Sequence, residues 1–350
     1  MDEPEIISER RGAAGIVTLN RPRALNALTQ GMVDRLAEAL DRWESDPAVT
    51  RIIVKGAGDR AFCAGGDVRA LYEAGRGGRV EEAFAFWRTE YRLNIRIKRY
   101  PKPYVALIDG LVMGGGVGVS LHGSHRVAGD RYSLAMPEVG IGFVPDVGAT
   151  YALPRLPDET GMYLALTGAR VGADDAAAIG LATHLVPSGD FEALEAALVS
   201  GEPVDTALAQ ASRPAAEGPL SSERGTIQRR FSAESVPAVL AALDEAAAAG
   251  SDFARDCAAT IRTKAPSSLS LAFAQVRRGR EMTFEEAMVT EFRIVSRVAR
   301  GHDFYEGVRA AIIDKDGRPR WNPETLAGID PAFVEAHVAP LGRDDLEVSP

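Results

Sequence analysis

The sequence predicts an α/β core followed by an all-helical region, and three observations carry that prediction. Short β-rich runs alternate with helical patterns over roughly the first 200 residues, which argues parallel strand pairing. Glycine clusters punctuate the ends of those runs. Beyond about residue 190 glycine thins out, alanine dominates and the patterns become helical throughout. We therefore expect two domains, an α/β core over 1–205 and a helical region over 206–350.

GIVTLN (15–20) reads as a strand, MVDRLAEALDRWE (32–44) as a helix with apolar residues at helical spacing, and RIIVKG (51–56) as a second strand. EEAFAFWRTEYRLNIRIKR (81–99) is a long amphipathic helix, with Phe84, Trp87, Tyr91 and Ile95 falling three to four apart. YVALIDG (104–110) and HRVAGD (125–130) are further strands with a helix expected between them. VPAVLAALDEAAAAG (236–250) and TFEEAMVTEFRIVSRVAR (283–300) are helical, the second opening with Thr283 three residues before Glu286, a capping-box spacing. SRPAAEGPLSSERG (212–225) is the best linker candidate.

At 350 residues, with 46% apolar and 25% charged side chains, the composition is that of an ordinary soluble domain. The net charge of −9 argues against general binding to nucleic acid or to anionic membranes. Two cysteines without a CxxC spacing exclude a disulfide scaffold and a thiolate zinc site. None of the five histidines forms a metal-ligand spacing, so no metal is expected. The stretch MDEPEIISERRG is charged and lacks an apolar segment, and no run approaches the roughly 18 apolar residues that span a bilayer, so a cytoplasmic protein is expected.

Two glycine turns are either tight strand-to-helix connections that need glycine in any case or the backbone of a ligand site. In AFCAGGDVRALYEAG (61–75) and LVMGGGVGVSLHG (111–123) a strand end meets glycines and a helix start. Such turns bring the backbone close to a ligand with free N–H groups, and two converging amides make an oxyanion hole. GGGVG is neither GxGxxG nor a Walker loop, and Gly118-Val119-Ser120-Leu121-His122 is not a hydrolase elbow, so nucleotide and serine-nucleophile sites have weak support. AMPEVGIGFVPDVGATYALPRL (135–156) holds Glu138 and Asp146 eight residues apart among glycine, proline and apolar residues. They are either turn and cap carboxylates or acids that act on a substrate.

LNRPRALNALT (19–29), AFCAGGD (61–67), GGGVG (114–118) and the 135–156 segment, in that order, resemble the crotonase, or enoyl-CoA hydratase/isomerase, superfamily. TEYRLN (89–94), HGSHRVAGD (122–130), LALTGARVGADDA (164–176), IGLATHLVP (179–187) and RGHDFYEGVRAAIIDKDGRPRWNP (300–323) narrow the resemblance to its 3-hydroxyisobutyryl-CoA hydrolase branch. The resemblance implies a crotonase-like spiral of ββα units with a C-terminal helical region. It implies an acyl-CoA thioester hydrolase acting on a short 3-hydroxyacyl-CoA in valine degradation, with no cofactor beyond the CoA of the substrate. The superfamily commonly forms trimers or pairs of trimers, which admits a homo-oligomer.

Position by position, the resemblance gives the backbone N–H groups of Gly66 and Gly115 to the thioester oxygen and makes Glu138 the main catalytic carboxylate with Asp146 beside it. Glu90, Gly115, Glu138 and Asp146 fall on substrate-contacting positions; Arg23, Ala24, Leu25, Gly65 and Asp67 fall on the acyl-CoA positions. Hydratases of the superfamily use two glutamates, and the first falls where this chain has Gly118, so efficient hydration is not expected. Glu138 either activates water or attacks directly, and Asp146 either orients the 3-hydroxyl or shares proton handling. Apolar surroundings should raise both carboxyl pKa values. The rivals are an enoyl-CoA hydratase/isomerase and a non-catalytic CoA-ester binding protein.

Overall fold

The structure, a computed structural model, describes residues 4–348; residues 1–3 and 349–350 of the two expected domains lie outside it. The chain forms two compact units, and it passes between them repeatedly rather than once near residue 205. One unit gathers the described residues of 1–67 with 92–135 and 170–218, the other 68–91, 136–169 and the described residues of 219–350. Segments close in sequence to the strands, 68–91 and 136–169, thus cluster with the C-terminal helices, which composition along the chain cannot reveal. The non-helical stretch 212–223 contains the last of these boundaries.

The first unit is built on a six-stranded sheet ordered Ile6–Arg11, Ala14–Leu19, Arg51–Gly56, Tyr104–Ile108, His125–Ala128, His184–Leu185. The first pair is an antiparallel hairpin and every later pairing is parallel. The strands Ala14–Leu19, Arg51–Gly56 and Tyr104–Ile108 are rich in Val, Ile and Leu and mostly buried, as parallel strands covered on both faces should be, while His125–Ala128 is buried only at Val127 and Ala128. A smaller sheet repeats the theme: Ala61–Cys63, Leu111–Met113 and Ser133–Ala135 run parallel, and Val171–Gly172 closes the edge antiparallel. Each of the three parallel strands of this second sheet comes within a few residues of a strand of the first, the doubled-strand repeat of a ββα spiral. These three-residue strands are too short to show a period. Between Met113 and His125 only Gly115–Gly118 is helical, shorter than the helix expected there.

The second unit contains no strand among the described residues. Its helices include Thr160–Thr167, Val236–Ala248, Pro266–Gly279 and Phe284–Val298. The capping box at Thr283 is present: Glu286 N–H donates to Thr283 Oγ1 at 3.2 Å and Thr283 N–H to Glu286 Oε2 at 2.8 Å. The helix Val80–Lys98 is the one expected from the 81–99 pattern.

The core of the first unit joins Ile16, Ile53, Val105 and Val127 of the large sheet to Leu194, Leu198 and Leu208 of the helices Phe191–Ser200 and Val204–Ala211. Leu198 is fully enclosed. Truncating it leaves a cavity as well as losing transfer free energy, so Leu198→Ala should cost about 2–5 kcal/mol in denaturant unfolding, read at unchanged m-value.

Candidate active site

The two glycine turns lie side by side within the first unit. Gly65 has φ +115°, open to glycine and costly for other residues, and a Cβ there would lie 3.5 Å from Met113 O and 3.8 Å from Gly115 N. A Cβ on Gly116 would come within 2.3 Å of Cys63 O, so the start of the short helix can approach this strand end only as glycine. Among the described residues the N–H groups of Gly66 and Gly115 have no acceptor. Backbone donors at a partly enclosed site are seldom left so, and two of them on adjoining turns are what an oxyanion needs.

The acyl-CoA candidates gather around the same turn. Leu28 N–H donates to Gly65 O at 2.8 Å, Asp67 N–H to Leu28 O at 2.9 Å, and Ala64 N–H to Leu25 O at 3.0 Å. Arg23 and Ala24 are exposed on a tight turn, and Leu25 leaves it with φ +52°. Buried Asn26, which sequence reasoning passed over, fixes this turn: its side-chain amide donates to Ala57 O and Ala61 O, both at 2.9 Å, and its oxygen accepts from Arg21 N–H. Asp67 is held by the guanidinium of Arg21 at 3.2 Å.

The carboxylates gather in the second unit. Glu90 stands on the helix Val80–Lys98, Glu138 opens the tight helical turn Glu138–Ile141, and Asp146 lies just ahead of the short helix Ala149–Ala152. A fourth acid, Glu291 of the helix Phe284–Val298, joins them. Their residues are 2%, 7%, 5% and 0% exposed, and none forms an ion pair among the described residues. One oxygen of Glu90 and one of Glu138 is buried without a hydrogen-bond partner.

Burial therefore governs their protonation. It pushes Glu90 and Glu138 well above the ordinary carboxylate range, and the negative charge of Asp146 pushes both further. Asp146 rises to about 7, because burial outweighs the hydrogen bond that Tyr91 Oη donates to its Oδ2 at 2.7 Å. Glu291 rises to about 8 from burial and the charge of Asp146, against the backbone N–H bonds it accepts. The raised values expected for Glu138 and Asp146 are present. The cap reading of Asp146 is not: Gly148 occupies the N-cap position, without a side-chain cap bond, and the carboxylate takes the Tyr91 hydroxyl instead.

Sequence reasoning missed Tyr91, Gln275 and Glu291. Tyr91 stood in view only as one residue of the apolar stripe. Glu291 and Gln275 sit in ordinary amphipathic helices more than a hundred residues from Asp146, where neither spacing nor local composition flags them.

An acid whose pKa is higher in the folded state than in the unfolded chain holds its proton more tightly when folded. Stability is then greatest below the unfolded value and is lost as pH rises through the folded one. With Asp146 near 7 and Glu291 near 8, Tm should fall as pH rises from about 5 to about 8. Asp146→Asn keeps an acceptor for Tyr91 and removes one buried charge, so its Tm should fall less over that range; an equal or steeper fall contradicts this assignment.

Comparison with known proteins agrees with this architecture. The family model described as enoyl-CoA hydratase/isomerase matches residues 14–338. Mitochondrial 3-hydroxyisobutyryl-CoA hydrolase of Danio rerio is 45% identical over 98% of this chain and 92% of its own. The human protein of the same name is 40% identical over 98% and 90%. A carnitinyl-CoA dehydratase structure from Mycobacterium thermoresistibile superposes with TM-score 0.93 at 41% identity, covering 99% of both chains. An enoyl-CoA hydratase from Rhodobacter sphaeroides 2.4.1 superposes with TM-score 0.92 at 39% identity, covering 99% of this chain and 100% of its own. The expectation of a cytoplasmic protein is overturned by the hydrolase relatives, which are named as mitochondrial. That expectation rested on the lack of an apolar segment, which bears on secretory export and not on mitochondrial import, whose signals are amphipathic and arginine-rich. The chain belongs to the enoyl-CoA hydratase/isomerase family.

Proposed function

We propose that the protein hydrolyses a short 3-hydroxyacyl-CoA thioester, with 3-hydroxyisobutyryl-CoA as the preferred substrate, and so acts in valine breakdown. The observation that carries this reading is Glu138, a buried carboxyl with an unpartnered oxygen and a pKa raised by burial and Asp146, in a chain that has Gly118 where a hydratase needs its other glutamate. Full-length similarity to proteins named for that hydrolysis supports it.

In the proposed mechanism a water attacks the thioester carbonyl while Glu138 takes its proton. The N–H groups of Gly66 and Gly115 receive the oxyanion of the tetrahedral intermediate; loss of one such donor typically costs ~3–4 kcal/mol of barrier. Collapse breaks the C–S bond, and the thiolate leaves and takes the proton from Glu138, which closes the balance with water as the other reactant. Asp146 binds the 3-hydroxyl and Glu90 contacts the acyl group. Arg23, Ala24, Leu25, Gly65 and Asp67 contact the CoA portion. A homo-oligomer of the superfamily's common kind is part of the same proposal.

A second reading, hydration of an enoyl-CoA, is favoured by the names of the two superposed structures. The two are separated by parallel assays of free thiol release from 3-hydroxyisobutyryl-CoA and loss of the conjugated double bond of crotonyl-CoA. Thiol release should dominate, should rise with pH as Glu138 loses its proton, and should fall by about 100-fold or more in Glu138→Gln. Brisk hydration without thiol release would overturn the hydrolase reading.

A further inference from the structure

The turn that carries Asp146 is strained and is gripped from two helices. Val147, the next residue, has φ +50°, a left-handed conformation that is costly for a β-branched residue. Such a conformation persists only where the surroundings over-determine it. Here Glu291 accepts Gly148 N–H and Thr150 N–H, both at 2.7 Å, from the helix Phe284–Val298. From the helix Pro266–Gly279, Gln275 Nε2 donates to Pro145 O at 3.1 Å and to Thr150 Oγ1 at 2.8 Å. The backbone on both sides of Asp146 is thereby tied to buried polar side chains.

Glu291 is an expensive way to do this. It is fully buried without an ion-pair partner among the described residues, so its ionisation carries a desolvation cost that a non-titrating side chain would never meet. What a carboxyl offers is two oxygens in one plane that accept two nearby turn amides, which an amide side chain cannot match.

We infer that Glu291, assisted by Gln275, is a positioning residue that holds the strained Asp146–Gly148 turn and so fixes where the Asp146 carboxylate points. This rests on the reading of Asp146 as a substrate-contacting acid. It reaches beyond that reading to residues in the C-terminal helices. Tyr91 holds the carboxylate itself, at 2.7 Å, while Glu291 and Gln275 hold the backbone beneath it. Asp146 would position the substrate through its 3-hydroxyl, and misplacing the reacting carbonyl by about 1 Å costs on the order of 100-fold in rate, so the effect belongs in kcat more than in KM.

The test is steady-state thiol release from 3-hydroxyisobutyryl-CoA for Glu291→Gln, Gln275→Ala and Asp146→Asn, with kcat expressed per folded molecule and Tm measured alongside. Glu291→Gln should lower kcat about 100-fold and Gln275→Ala about 10-fold, with KM changing less than about threefold in each. A merely structural role would lower Tm and leave kcat per folded molecule intact, and that result would overturn the inference. Should Glu291→Gln yield no folded protein, Gln275→Ala decides, because it leaves the buried carboxyl in place: an unchanged kcat overturns the inference. Asp146→Asn separates the two levels. Full activity there removes the reading of Asp146 itself, whereas an inactive Asp146→Asn beside fully active Glu291→Gln and Gln275→Ala overturns the positioning role alone.

Discussion

Four carboxyl groups buried without a cation are the constraint around which the second unit is organised. Glu90, Glu138, Asp146 and Glu291 are almost wholly shielded from water, and none forms an ion pair among the described residues. Ionising all of them together is prohibitively costly in a low-dielectric interior, so at neutral pH the cluster retains protons. The charge of Asp146 raises the other three, which makes it the member to which the rest respond. Stability has been given up here: apolar side chains of similar volume would fill the same space at less cost. Arrangements of this kind are expected where acids must accept and release protons near neutral pH.

In the first unit it is the backbone that offers chemistry. A parallel sheet fixes the ends of Ala61–Cys63 and Leu111–Met113, and the glycines beyond them allow two turns to approach so closely that no side chain fits between them. The resulting donors are backbone amides with no protein acceptor among the described residues. A pair of free backbone amides of this kind suits any reaction that builds charge on an oxygen. In the proposed function, Gly118 in place of a second glutamate takes away the acid–base pair that hydration requires.

Much of this was legible in the sequence, because the signals were local. Strand and helix patterns at 51–56, 81–99 and 283–300 reflect burial of one face by neighbouring residues, and Thr283 with Glu286 announces a helix start in four residues. The glycine turns and the isolated acids at 138 and 146 stand out because their residue types conflict with their surroundings. The illegible part was long-range. Glu291 and Gln275 meet the Asp146 turn from more than a hundred residues away, and Tyr91 shows only as part of a helix's apolar stripe although its hydroxyl carries the hydrogen bond to Asp146. The grouping of 68–91 and 136–169 with the C-terminal helices is likewise a property of tertiary packing that no linear composition change marks.

A cluster of buried acids that keeps protons near neutral pH under the influence of Asp146 is visible to carbon-13 NMR titration. The full chain, labelled at its Glu and Asp carboxyl carbons, would be compared with Asp146→Asn. A small set of carboxyl resonances should titrate near or above neutral pH, far from the ordinary values of about 4. The remaining high-titrating resonances should move to lower pH in the variant, where the charge of Asp146 is gone. Titration of every carboxyl in the ordinary range, or a high-titrating set that Asp146→Asn leaves in place, would contradict it.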